Sequence, residues 1–152
     1  MPRFRFPLDP LIRMRQRTER ERMTEVAELE RQRVALEDRI RACQSRIVSG
    51  KSAVREGLVG AVDLTALRGE AAGALHATRE AQRLVLELAG VHRRLEEARR
   101  RLAEAARDRR AVELLRERRL AEFRRAVRKQ EEAEIDELAA HGGGDGDLGA
   151  EI

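Results

Sequence analysis

Tryptophan and tyrosine are absent, and three phenylalanines are the only aromatic residues in 152. A globular core of ordinary depth relies on large rings, so a compact three-dimensional core has little to fill it. Cys43 is the single cysteine, which rules out an internal disulfide and makes a reducing cytoplasm the default setting. No proline follows Pro10, so nothing after it forces a helix to break. No stretch approaches the ~18–20 apolar residues of a membrane span. The opening "MPRFRFPLDP" lacks the apolar centre of a secretory signal.

Catalytic and nucleotide chemistry are also missing. His76, His92 and His141 are never three or four residues apart, the spacing that puts two metal ligands on one helical face. Gly50, Lys51 and Ser52 end like a phosphate-binding loop, but Ser45 stands where the required earlier glycine would be. The residues before them also have helical, not strand, periodicity. No cofactor is expected, and no enzyme.

What is present is charge. Charged residues make up 39% of the chain, and the net charge of +4 conceals a gradient. Residues 1–56 carry +5, residues 57–99 are neutral, residues 100–129 carry +7 and residues 130–152 carry −8. Ala, Glu, Leu and Arg recur with a regular period, which favours long helices or coiled coil over disorder.

The pattern predicts an all-α fold, a long antiparallel two-helix coiled-coil hairpin. Residues 1–9 form an extended N-terminal segment, 10–56 the first helix, 57–63 a turn, 64–141 a longer second helix, and 142–152 a disordered acidic tail. Asp9 and Pro10 suit an N-cap and first helical position, and Asp63 caps the second helix. The first seam runs Val26, Leu29, Arg33, Leu36, Ile40, Cys43, Ile47, with Cys43 as a small core residue. The second runs Ala81, Leu84, Leu88, Val91, Leu95, Ala98, Leu102, Ala105. Folding about residue 60 sets Ile40 near Ala81, Val26 near Leu95 and Arg15 near Ala105. At ~1.5 Å per residue the helices span roughly 70 and 115 Å, leaving the second to overhang past about residue 110. The glycine and serine of "IVSGKS" are expected to loosen the end of the first helix. Arg15, Glu19 and Arg22 make the seam weak near its start, to be held loosely or by a partner.

The arginine run from Arg99 to Lys129 stays open at this level. A polyanion-binding stripe would use it, yet Glu104, Asp108, Glu113, Glu117 and Glu122 break the stripe. Stacking aromatics are missing apart from Phe123. A solvated face laced with salt bridges, a surface for an acidic protein, and a nucleic-acid binder are the three readings.

The two ends carry a resemblance. "MPRFRFPLDPLIRMRQRTERE" is similar to the start of the FliJ family of flagellar export stalk proteins, and "LLRERRLAEFRRAVRKQEEAEIDELA" resembles its C-terminal portion. The turn region "GLVGAVDLTALRGEAAGAL" fits in position. The resemblance implies a monomeric, non-enzymatic stalk of the type III export apparatus, cytoplasmic and peripheral to the inner membrane. Its partners would be a hexameric export ATPase, a membrane-embedded export gate and export chaperones, without membrane insertion or nucleic acid. It would place Phe4, Phe6, Leu8, Arg116, Arg119 and Phe123 near the ATPase ring, and Leu67 and Leu75 near the gate. Two other classes compete: a basic helical module binding polyanions or nucleic acid, and a coiled-coil scaffold dimerising through Val112, Leu115, Phe123 and Val127.

Overall fold

A computed structural model describes residues 3–142. Helix α1 spans Asp9–Gly57 and α2 spans Leu64–Gly142, and the two pack against each other as an all-α hairpin. The sequence expectation for residues 143–152, a disordered tail, lies outside the described residues. Inter-residue contacts divide the chain into two units: Arg17–Ala105, and the chain up to Gln16 together with the chain from Ala106 onward.

Within Arg17–Ala105 the two heptad stripes meet as their spacing dictates. Leu36, Cys43, Leu84 and Val91 form one buried cluster, flanked by Ile40, Ala81 and Leu88. Leu29, Leu95 and Ala98 form a second, with Val26 against it. Arg33, the one charged residue on the first seam, is half-buried and bonded to Glu30 at 2.8 Å and Glu37 at 2.7 Å. Its carbon stem covers the seam while its guanidinium stays paired, as long basic side chains do. Arg99–Glu30 and Arg101–Glu25 link the helices across the edge, but such exposed pairs contribute only about 0–1 kcal/mol each. The apolar seam dominates.

Near the turn the helices approach through small residues. A Cβ added to buried Gly50 would meet the Ala74 Cβ at 3.1 Å and the Glu70 carbonyl oxygen at 3.4 Å. Gly50 therefore permits close contact inside a continuous α1, and the expected loosening of the helix end does not occur there. The reversal uses Gly60 at φ +86°, a conformation costly for a residue with a side chain. The Asp63 carboxylate then accepts hydrogen bonds from the Thr65 and Ala66 amides at 2.9 and 3.2 Å, the N-cap its position suggested.

Candidate functional site: the aromatic clamp on the far end of the second helix

Residues 3–8 are not a loose leader. Pro7 fixes its own backbone angle just before α1, and the extended residues ahead of it send alternate side chains to the same side. Phe4 and Phe6 therefore both face α2. Their ring centroids lie 6.5 Å apart with planes 17° from parallel, and Phe4 meets Phe123 at 5.5 Å in a tilted contact. Phe6 is buried at 7% exposure and Ile12, in the first turn of α1, at 9%. The Asp9 amide donates to the Phe6 carbonyl at 3.2 Å, closing the bend into the helix.

Charges fix the register. The Arg116 Nε forms an ion pair with Asp9 Oδ1 at 3.1 Å, and the Arg15 guanidinium pairs with Asp108 at 2.8 Å. Asp9 stands in the first turn, and its carboxylate serves this cross-helix pair. The i→i−4 bond from the Ile12 amide goes to the Leu8 carbonyl, so the helix begins at Asp9 itself, one residue before the expected first helical position at Pro10. Glu113 sits beside Arg109, whose hydrogen bond holds its carboxyl below the ordinary range. The structure thus moves the onset of the overhang. The N-terminal segment and the start of α1 cover α2 as far as Phe123, not 110, and every residue from Arg128 to His141 is exposed.

Between the segment and α2 lies an open groove of about 770 Å³, with Phe4, Phe6, Pro7, Leu115, Phe123 and Ala126 among its walls. Arg3, Arg5 and Arg119 stand around it with Glu122, which pairs with Arg119 at 3.3 Å. The structure therefore brings Phe4, Phe6, Leu8, Arg119 and Phe123 to one place. Arg116 occupies a neighbouring shallow groove with Ile12, Glu113 and Leu120. Leu67 and Leu75 belong to the other unit. Leu67 packs where Gly57 lacks a Cβ, and Leu75 is 51% exposed.

Sequence reading missed Arg3, Arg5 and Ala126 in this groove and the pairing role of Asp9. The alternation F-R-F-P was the available signal for the segment, but it does not say which turn of α2 receives it. Among the described residues no group of three or more His, Cys, Asp or Glu is placed to hold a metal, and no helix is long and apolar enough to cross a membrane.

A family model described as flagellar FliJ protein matches residues 4–144. No curated protein and no solved structure gives a significant match. The match runs from the first clamping aromatic through both helices. The chain therefore belongs to the FliJ family of flagellar export proteins.

Proposed function

We propose that this chain is the stalk of the flagellar type III export apparatus, a single copy that enters the hexameric export ATPase with its clamped end and raises ATP turnover. The observation that carries the reading is the clamp itself. A stalk gripped by a ring needs an end that is held in one register yet offers charged, reversible contacts. Here Phe6 and Ile12 fix the register from inside while Arg116 and Arg119 stand exposed. Burial assigns Phe6 to shaping the end; Phe4, Leu8, Arg116, Arg119 and Phe123 remain the ring-facing set.

The turn end reaches toward the export gate in this reading. Leu75 offers a gate contact, together with Leu58, Val59 and Leu64, which are 61%, 80% and 64% exposed. Export chaperones are escorted by the same chain, which works on the cytoplasmic side at the inner membrane without inserting.

The test is ATP turnover of the cognate export ATPase. Adding the full chain raises it, and truncation after Arg110 abolishes the effect. Truncation also strips the partner from Phe6, so a second variant, Arg116→Glu with Arg119→Glu, separates contact from folding. It reduces stimulation while circular dichroism keeps its helical signal. Turnover indifferent to the intact chain defeats the proposal.

A further inference from the structure

On the helix, the acids that interrupt the arginine run stand at or beyond the edges of one basic face. At about 100° per residue, Arg107, Leu114, Arg118, Arg125, Arg128 and Lys129 share one outward face of α2. Asp108 and Glu113 fall on other faces, while Glu117 and Glu122 border this one, about 20° beyond Arg128 and Lys129. These four are engaged, by Arg15, Arg109, Arg110 and Arg119 respectively; Glu104, exposed on the same edge as Glu122, precedes the face by one turn. All five cations of the outward face are exposed, and none has an acidic partner among the described residues. From Arg107 to Lys129 the face runs about 33 Å along the axis. Glu132 ends it.

We infer that this face docks the chain onto an anionic lipid bilayer. The five cations span about 100° of the helix circumference, with Arg107, Arg118 and Arg125 near its middle and Arg128 and Lys129 at its two edges, so a flat sheet of negative charge comes within reach of all five long side chains. A nucleic-acid duplex curves away from a one-sided row. The face also carries none of the Asn, Gln, Ser or Thr side chains that read base edges, and none of the aromatics on which single strands stack. Leu114, 38% exposed, is the only large apolar group on it, so the contact is adsorption at the headgroups and not insertion. Each basic residue near such a surface raises partitioning roughly fivefold. Five together give a gain on the order of a thousandfold over neutral lipid, steeply reduced by salt. The face lies on the end that the stalk reading sends into the ring, so lipid and ring contact exclude each other, and the lipid outcome is read with the chain and lipid alone, without an ATPase.

The experiment is flotation of the full chain with vesicles of phosphatidylcholine containing about a third phosphatidylglycerol, against vesicles of phosphatidylcholine alone. Binding to the anionic vesicles only, released at about 0.5 M salt, is the expected result. Arg118→Glu with Arg125→Glu lowers partitioning at least 25-fold, the product of two fivefold losses. Arg31→Glu with Arg41→Glu, the same net change on α1, leaves it within a few-fold, and circular dichroism verifies that both variants are helical. Equal loss in both variants would reduce the effect to net charge and overturn the assignment. So would failure to float at low salt, or tighter binding to a short DNA duplex than to the anionic vesicles.

Discussion

Phe6→Ala tests whether the clamp is a built feature. Phe6 is the one buried side chain among the described residues of the N-terminal segment, and Ala removes its ring. Burying a phenylalanine contributes about 1.5–3 kcal/mol. The other attachments are smaller: the Phe4–Phe123 contact adds about 0.5–1.5 kcal/mol, and the exposed Asp9–Arg116 pair about 0–1 kcal/mol. Losing the Phe6 ring therefore shifts the ratio of attached to detached segment roughly 10- to 150-fold toward release. Hydrogen exchange resolves this residue by residue. The Asp9 amide, bonded to the Phe6 carbonyl, loses protection by about that factor. Amides beside Leu36 and Leu84 keep theirs, because those residues form a separate buried cluster in the other unit. Undiminished protection at Asp9 would mean that Phe6 does not hold the segment. Equal loss at Leu36 and Leu84 would mean that the two units do not open independently.

Glycine substitutions sort by what a new Cβ meets. At Gly90 it meets nothing within 4 Å, so Gly90→Ala raises stability by about 1 kcal/mol through helix propensity, read as a higher urea midpoint. At Gly50 the same change presses on the Ala74 Cβ and the Glu70 carbonyl, neither of which can swing aside, so Gly50→Ala lowers the midpoint despite its better propensity. A gain at both positions would show that α1 and α2 are not in close contact there. Acid should weaken the fold in a definable window. Glu30, held by Arg33 and then Arg99, and Glu113, held by Arg109, both titrate below their ordinary 4.5. Carboxylates depressed in this way contribute stability that is full above the unfolded value and lost as pH falls through the folded one. The urea midpoint thus declines as pH drops below about 4.5, and Glu30→Gln with Glu113→Gln flattens that decline; an unchanged acid limb in the double variant would show that these two pairs are silent.

The parts legible in sequence are those governed by a period. Each residue of the two stripes, from Val26 to Ile47 and from Ala81 to Ala105, is buried or half-buried, because a 3–4 repeat leaves a helix one seam to offer. The register is set by a few contacts, and Ile40 does join Ala81 in the same cluster. What escaped is aperiodic or lies across the chain. Nothing in F-R-F-P names Phe123 as its partner, so the covered length of α2 was underestimated by about a dozen residues. Gly50 read as a weak point because propensity counts only the helix that owns the residue, whereas Ala74 on the other helix makes its missing side chain useful.

The charge pattern shows the same difference more sharply. Along the chain Glu117 and Arg118 are neighbours, and an average over the run cancels one against the other. On the helix they stand about 100° apart, far enough that Glu117 turns to Arg110 while Arg118 looks outward with no acid opposite. Net charge therefore understates the field at one face and overstates it at the next. A stripe of paired acids and arginines beside a stripe of unpaired ones is how a single helix can be knitted to its own N-terminal segment and still hold five cations in reserve.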